Sequence, residues 1–152
     1  MSRDEKQYKK CLLLAQNACL KRETCKKDIR EKLTKYVYEL SIIEKVIPEL
    51  EKQGFINEQR YAKAYAHDKF LIKRWGKLKI KQHLWQKQIP DNLIEQGLNH
   101  IDQQEYLKVL SHVLSRKAAL LIEKDPTKRK KKMLDFGLSR GFEYELIWKE
   151  IS

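Results

Sequence analysis

Hydrophobic residues recur at helical spacing along almost the whole chain, and the pattern is clearest in residues 61–98. A segment of small and aromatic residues is followed by a break at Trp75-Gly76 and then by a basic amphipathic segment. A second break at Ile89-Pro90 precedes a short apolar segment. Apolar residues spaced three and four positions apart are typical of amphipathic helices. The middle of the chain therefore predicts three helices of unequal length.

The same apolar pattern occurs upstream, displaced by 51 residues. The matching pairs are Ile29 with Ile80, Leu33 with Leu84, Ile42 with Leu93, Ile43 with Ile94, and Ile47 with Leu98. Matches on several helices at one offset are the usual mark of a modular fold. They predict an all-α protein with a repeated three-helix module.

A third, looser copy follows. Leu84 matches Leu134 at an offset of 50 residues, and Ile94 matches Ile147 at an offset of 53. The third module therefore has about three extra residues between its second and third helices. We expect three tandem three-helix modules that form one continuous repeat domain, over residues 1–55, 56–101 and 102–152.

Helix ends are predicted from capping residues. Thr24, Ser41 and Asn57 are expected N-caps, because their side-chain oxygens can accept from free backbone amides. Gly54 is expected to end the third helix. Pro48 falls inside that helix, which predicts a kink or a later start.

Helix bounds follow from the same pattern. The first helix is expected over residues 8–22, and the second is expected to end near Tyr38. The fourth is expected to reach about Lys73, and later helices are expected over residues 103–122 and 127–138. Residues 77–81 alternate like a strand, but their repeat partners do not alternate, so we predict a helix there.

The composition favours helices and a polyanionic partner. The chain of 152 residues has only 5 Gly and 3 Pro, and 33 Lys and Arg against 21 Asp and Glu give a net charge of +12. Strands need frequent turns, which are rich in Gly and Pro, so the scarcity of both favours helices. The excess of positive charge suits a phosphate-rich partner.

The N-terminal residues are charged and no apolar run reaches the roughly 18 residues of a membrane helix. Together these features predict a cytoplasmic protein without a membrane segment. The three cysteines form no CxxC pair, which predicts reduced thiols, with Cys11 and Cys19 filling the core.

Catalytic and cofactor motifs are absent from the sequence. It contains no GxxxxGK[ST], GxGxxG or HExxH motif, and its four histidines are scattered singly. His67 and Asp68 are neighbours, but adjacent helical residues point in different directions and make a poor acid–base couple. The sequence therefore predicts neither an enzyme nor a protein with a bound metal or cofactor.

Two basic runs are the candidate functional features. No acid lies between Asp68 and Asp91. The candidate contact residues are Lys73, Arg74, Lys77, Lys79 and Lys81 in this window, and Lys128, Arg129, Lys130, Lys131 and Lys132 in the second run. A solvated helix face is one interpretation, and a surface that faces phosphates or an acidic protein is the other. Solvated faces usually mix charges, so the missing acids favour the second. Trp75 and Trp85 either stack on bases or pack between modules.

Four motifs in order resemble the RecX regulatory proteins, which modulate the bacterial RecA recombinase. They are KRET through DIREKL at residues 21–33, LEKQGFINEQRYA at residues 50–62, GKLKI with LWQKQI at residues 76–89, and LSRGFEY at residues 138–144. The resemblance covers roughly residues 12–151. Glu58 replaces the usual Asp, and Gln88 departs from the family's Lys-Gly-Ile.

The resemblance implies a fold and a function. The fold would be three tandem three-helix modules in an elongated, curved body. The function would be binding, without catalysis, to the RecA filament on single-stranded DNA, most often with inhibition of filament extension, strand exchange and ATP hydrolysis, and the chain would be a monomer. The basic residues above would supply the contact surface. An independent nucleic-acid binder of helix-turn-helix type and an enzyme with an unrecognised site are the alternatives.

Overall fold

The computed structural model describes residues 2–36 and 38–152, and the regular elements in those ranges are all helices. They are α1 (Arg3–Lys21), α2 (Lys26–Lys35), α3 (Leu40–Lys52), α4 (Glu58–Leu71), α5 (Lys77–Gln86), α6 (Asp91–Asn99), α7 (Gln103–Leu120), α8 (Pro126–Ser139) and α9 (Tyr144–Ile151). The prediction of an all-α protein is confirmed.

The helices group in threes. The extensive helix pairs are α1 with α3, α4 with α6, and α8 with α9, and every other substantial pair also lies within one of the triads α1–α3, α4–α6 and α7–α9. The predicted three-helix modules are therefore present. The residues at which one module ends and the next begins stay predictions.

Side chains of the three modules form two hydrophobic cores. Cys11, Ile43 and Leu50 belong to a core made by α1–α3. A second core runs through α4–α9 and includes Ile80, Tyr106 and similar residues of both later modules. Cys25, which precedes α2, contributes to this second core. The second and third modules thus share one interior, and the first has its own.

The 51-residue repeat is visible in burial. The equivalent residues Ile29 and Ile80 are both buried, as are Leu33 and Leu84. Helix starts repeat as well, because α2 begins at Lys26 and α5 at Lys77. Buried positions recur because each module must cover the same face of its second helix. The predicted repeat is confirmed.

Two predicted helix ends are also confirmed. The Asn57 side chain accepts from the Arg60 backbone N–H at 3.0 Å at the start of α4. Gly54 follows α3 with φ +80°, a conformation that glycine adopts without the strain of a Cβ. The Phe55 N–H donates to the Leu50 carbonyl at 2.9 Å, which is the bond expected of a left-handed helix end.

Other predicted ends are wrong. Thr24 lies one residue before the N-cap of α2, which is Cys25. Ser41 is the second residue of α3, and Glu39 precedes that helix. Hydroxyl residues favour N-caps, but the apolar register that buries each helix decides where it starts. Pro48 stays inside α3 without delaying its start.

Several helix bounds differ from the predicted ones by a few residues. α1 begins five residues early at Arg3, where Ser2 caps it. α2 ends at Lys35, before the predicted end near Tyr38. Residue 37, which the predicted helix included, lies outside the described ranges. α4 and α7 each end two residues before the predicted position. Residues 77–81 form the start of α5, as predicted.

Candidate functional site

The first candidate residues lie in the connection from α4 to α5. Lys73 is exposed, and Arg74 is half-buried with φ +57°. This left-handed conformation is uncommon for a residue with a side chain. It turns the chain so that Trp75 and Gly76 lead directly into α5.

The start of α5 is joined to the third module by backbone hydrogen bonds. The Gly76 N–H donates to the Arg140 carbonyl at 2.7 Å, and the Leu78 N–H donates to the Gly141 carbonyl at 2.9 Å. These bonds occupy amides that a helix N-terminus would otherwise offer to an anion. The positive contribution of α5 to a binding surface therefore comes from its side chains.

Lys77 belongs to the same junction. Its backbone N–H donates to the Tyr106 hydroxyl at 2.9 Å, and that hydroxyl in turn donates to the Glu143 carboxylate. Burial and Glu143 raise the pKa of Tyr106 above its usual range, so the hydroxyl keeps its proton. The Lys77 ammonium lies 4.8 Å from the Tyr106 ring and 3.4 Å from the Gln103 amide oxygen.

The equivalent junction between the first two modules has the same layout. The Lys26 backbone N–H donates to the Glu58 carboxylate at 3.2 Å. Lys26 and Lys77 are equivalent in the repeat, and Glu58 and Tyr106 both lie on the first helix of the next module. The second helices of the first two modules, α2 and α5, are thus each capped by the module that follows.

Lys79 lies beside an aromatic ring. Its ammonium is 4.6 Å from the Trp75 ring centre, and Lys69 on α4 is 5.0 Å from the same ring. The His83 ring packs on the indole at 4.6 Å. Burial and the nearby lysines Lys79 and Lys69 lower the pKa of His83, so it is predominantly neutral at neutral pH.

Lys81 has an acidic partner that its sequence neighbourhood lacks. Its ammonium lies 2.9 Å from the Glu95 carboxylate on α6, and the hydrogen bond to Glu95 raises the pKa of Lys81. Lys87, also in the acid-free stretch, lies 2.8 Å from Asp28 on α2. Although this stretch of sequence contains no acid, the fold brings acids from other helices next to two of its lysines.

The second basic run covers the first half of α8. Lys128, Lys130 and Lys132 are exposed. Lys131 is also exposed and lies 3.0 Å from Asp135, one turn along the helix. The Lys130 ammonium is 5.9 Å from the Trp148 ring.

Arg129 differs from its neighbours because its guanidinium binds backbone carbonyls. It donates to Ala118 at 2.9 Å, to Glu123 at 2.9 Å and to Leu121 at 3.3 Å. These carbonyls lie at the end of α7 and just beyond it, where helix carbonyls lack internal partners. Arg129 therefore holds the α7–α8 connection together.

The two basic runs lie toward opposite ends of α8. The C-terminal end of α8 meets the start of α5 through Arg140 and Gly141. Residues 128–132 precede Arg140 by eight to twelve positions. At 1.5 Å per helical residue this places the lysines roughly 12–18 Å along the α8 axis from that junction.

The tryptophans occupy different environments. Trp75 is half-buried against the shared core, while Trp85 is 66% exposed. Trp75 thus packs on the core with one part of its ring, and its role in base stacking or in packing between modules stays a prediction. Trp148 and Tyr144 stack with parallel rings 6.3 Å apart on α9, beside Lys130. Sequence reasoning missed this pair, although its spacing of four residues places both rings on one helix face.

The junction between the first two modules carries a further cluster that the sequence did not indicate. Arg60 pairs with Glu23, and Lys87 pairs with Asp28. The two partners of each pair are 37 and 59 residues apart in sequence, so only the fold brings them together.

Among residues 2–36 and 38–152, no group of three His, Cys, Asp or Glu side chains is arranged to hold a metal ion. In the same part of the chain, no helix has the length and apolar character needed to cross a membrane.

The chain matches two family models, described as the second and the third three-helix domains of RecX, over residues 57–98 and 104–151. A regulatory protein RecX of Clostridium acetobutylicum is 33% identical over 82% of this chain and 58% of its own length. One from Clostridium tetani is 30% identical over 97% of this chain and 67% of its own length. The chain thus spans about three fifths to two thirds of these relatives.

Solved structures agree on the fold. The crystal structure of RecX from Lactobacillus salivarius matches with a TM-score of 0.85, over 97% of this chain and 96% of that one, at 22% sequence identity. A second crystal structure, of a regulatory protein RecX, matches with a TM-score of 0.87 over 94% of this chain, at 19% identity. With the two family models covering more than half of its residues, the chain belongs to the RecX family of regulatory proteins.

Proposed function

We propose that this chain binds the RecA recombinase filament on single-stranded DNA and limits its extension and its ATP hydrolysis, without catalysis of its own. Membership of a family named for regulation supports a regulatory role. The link to the RecA filament rests on the motifs at residues 50–62 and 138–144 that resemble the family. A cytoplasmic monomer is part of the same proposal.

The observation that carries the proposal is a set of exposed cations on or just before the second helices of adjacent modules. Lys73 precedes α5, and Lys128 and Lys132 lie on α8. None of the three has a carboxylate within 4 Å among residues 2–36 and 38–152. Exposed lysines without acidic partners suit both DNA phosphates and an acidic protein surface.

The candidate residues differ in how much charge they can offer a partner. Lys81 and Lys131 share theirs with Glu95 and Asp135. Arg129 is engaged by the α7–α8 connection. We infer that the contact surface is carried mainly by the remaining candidates, which are Lys73, Arg74, Lys77, Lys79, Lys128, Lys130 and Lys132.

DNA-dependent ATP hydrolysis by RecA, measured with increasing amounts of the purified chain, tests the proposal. We expect inhibition at substoichiometric amounts. The variant Lys73→Glu/Lys128→Glu/Lys132→Glu should need at least about tenfold more protein for half-inhibition, because three cationic contacts become repulsive. Its far-ultraviolet circular dichroism should match wild type.

The matched control is Lys6→Glu/Lys9→Glu/Lys10→Glu, which makes the same change in net charge at three exposed positions of α1. We expect it to inhibit within about twofold of wild type, since a local contact surface does not depend on distant charge. Equal loss in both variants would mean that net charge alone drives the effect and would contradict the assigned surface.

An independent nucleic-acid binder would behave differently in the same experiment. It would bind naked DNA tightly, with affinity that falls steeply with salt, and would affect hydrolysis only by competing for DNA. Fluorescence anisotropy with labelled single strands and duplexes separates the two functions. Preference for one duplex sequence would favour the helix-turn-helix alternative.

A further inference from the structure

A groove lies between the first two modules, where α2 faces α4 and α5. Aromatic and basic side chains line it together, and they include Tyr61, Tyr65, Lys69, Trp75, His83 and Lys87. Basic grooves with interleaved aromatic rings are typical of proteins that bind single-stranded nucleic acids.

The cations of the groove are held beside the rings. The Lys69 ammonium is 5.0 Å from the Trp75 ring centre and 5.3 Å from that of Tyr65. Lys79 contacts the Trp75 ring from α5 at 4.6 Å, and the His83 ring packs on the same indole. Two ammonium groups and an imidazole from two helices therefore converge on one indole.

The acids that line the groove already have basic neighbours. Asp28 pairs with Lys87, and Glu23 pairs with Arg60. Asp68 Oδ1 lies 3.4 Å from Nδ1 of the His67 ring. In the described part of the chain, Lys69 and Lys79 have no carboxylate within 4 Å. Among the residues that the structure describes, the charge that converges on Trp75 is thus not paired with a carboxylate.

We propose that Lys69, Lys79 and His83 bind a backbone phosphate of single-stranded nucleic acid, with the Trp75 indole as the wall of the site. The proposal deepens the proposed function and rests on it for the choice of a single strand. A phosphate would replace the rings as the partner of both ammonium groups, and an ion pair is a stronger partner than a ring at such half-exposed positions.

The shape of the site favours a single strand over a duplex. Lys69 and His83 are half-buried and line this concave surface between modules, and the half-buried Lys79 reaches its Trp75 wall from α5. A flexible single strand can present one phosphate to a recessed site, while its bases lie along Tyr65 and neighbouring rings. A duplex is stiff, and its backbone meets protruding cations more readily than recessed ones.

Binding has a local signature at His83. Its pKa is lowered by burial and by Lys79, Lys69 and Lys87, and the carboxylates of Asp28 and Asp68 also line the groove. A phosphate beside the lysines would offset their repulsion of the imidazolium. The His83 pKa should therefore rise when the site is occupied.

The test uses the full chain and a short oligothymidylate. Affinity is measured by calorimetry at several salt concentrations, and His83 is titrated by NMR with and without the oligonucleotide. The Lys69→Gln/Lys79→Gln variant should lose at least about tenfold in affinity, and the slope of log K against log salt should become shallower by about 0.7, the value for one single-strand phosphate contact. Thermal melting verifies that the variant is folded.

The control variant Lys9→Gln/Lys10→Gln removes the same charge from exposed positions on α1 and should stay within about twofold of wild type. Equal losses in both variants would overturn the site, and so would an unchanged His83 pKa in the bound state. Duplex DNA or inorganic phosphate that bound as tightly as the oligonucleotide, with the same shift at His83, would overturn the assignment to a single strand.

RecA inhibition by the same variant separates this proposal from the proposed function. Lost oligonucleotide binding with retained inhibition would support the groove as a phosphate site, with the filament contact made elsewhere. Retained oligonucleotide binding would overturn the groove site whatever the variant does to RecA. Failure of wild type to inhibit RecA, with oligonucleotide binding that depends on Lys69 and Lys79, would contradict the proposed function alone.

Discussion

Gly76 packs backbone to backbone against Gly141, so that a methyl group on Gly76 would collide with the Gly141 carbonyl. The contact joins the start of α5 to the turn between α8 and α9. Gly141 has φ +93°, and a methyl group there would collide with Lys79. Both positions therefore need glycine for the second and third modules to approach this closely.

The Gly76→Ala variant should be less stable by about 3 kcal/mol, at the upper end for an overpacked site, because the neighbours of the new methyl group are backbone atoms that cannot rotate away. The hydrogen bond from the Gly76 N–H to the Arg140 carbonyl should also weaken. Urea unfolding measures the first effect, and amide exchange at Leu78 measures the second.

Gly54→Ala is the control for the loss of a glycine. A methyl group there meets nothing within 4 Å, so only the left-handed conformation at φ +80° opposes it, at about 1–2 kcal/mol. Its effect on exchange at Leu78 should be negligible. If the two variants were equally stable, the close approach of Gly76 and Gly141 would not be a steric constraint.

Tyr106→Phe should destabilise the same junction through hydrogen bonding. The hydroxyl accepts from the Lys77 N–H at 2.9 Å and donates to Glu143, inside a core where Tyr106 is 0% exposed. Its removal leaves the Lys77 amide without a partner, which costs about 1–3 kcal/mol. Thermal unfolding measures the loss. Tyr36→Phe, at an exposed position, should unfold at the wild-type temperature.

Arg129→Ala should separate the structural member of the basic run from the others. Three carbonyls at and beyond the end of α7 lose their donor, and hydrogen bonds from a charged group are each worth about 1.5–3 kcal/mol. We expect a loss of about 2 kcal/mol in urea unfolding, since water replaces part of the interaction. Lys132→Ala should change stability by less than about 0.5 kcal/mol. Equal stability of the two variants would contradict the structural role of Arg129.

Sequence reasoning succeeded where local chemistry decides the structure. Asn57 caps α4 through its own side chain, and Gly54 ends α3 in a conformation that favours glycine. The repeat at an offset of 51 residues could be predicted from the sequence because Ile29 and Ile80 fill equivalent places in two cores. Each of these signals needs only a few neighbouring residues or one repeated face.

It failed where distant residues decide. The stretch around Lys81 contains no acid, yet Glu95 from α6 lies 2.9 Å away once the helices pack. Arg129 looked like one more exposed cation, but its partners are carbonyls at the end of α7. The close approach of the second and third modules at Gly76 and Gly141 could not be predicted either, since a pattern of apolar positions does not say how closely two backbones approach.

The buried thiols should make the protein less stable at alkaline pH. Burial raises the pKa of both Cys11 and Cys25 to about 11. In the unfolded chain a thiol ionises near 8.5. The unfolded state therefore loses these protons first, and the contribution of the thiols to stability falls as pH rises from about 8.5 to 11.

Urea unfolding between pH 8 and 11 measures this decline. The Cys11→Ala/Cys25→Ala variant is less stable at pH 8 because it leaves small cavities, but its stability should fall less steeply with pH than that of wild type. Parallel pH profiles for the two proteins would contradict the assigned thiol pKa values.

The junction between the first two modules should loosen in salt. Its contacts include two ion pairs, Arg60 with Glu23 and Lys87 with Asp28, whereas the next junction is built over a shared core. Exposed pairs are screened once the Debye length falls to about 3 Å at 1 M salt. Among residues 2–36 and 38–55, Cys25 alone belongs to the second core, so opening of this junction should expose its thiol.

The rate of thiol labelling at Cys25 should therefore increase severalfold between 0.05 and 1 M salt, since screening weakens exposed ion pairs but leaves apolar burial intact. Cys11 is the internal control, because it is equally buried but lies within the first module's own core. Its labelling rate should be unchanged or lower in salt. The Asp28→Asn variant, which breaks the pair with Lys87, should label faster than wild type at Cys25 in low salt and gain less from added salt. Equal salt dependence at both thiols would instead indicate that the chain opens globally, and the first module would then not move as a separate unit.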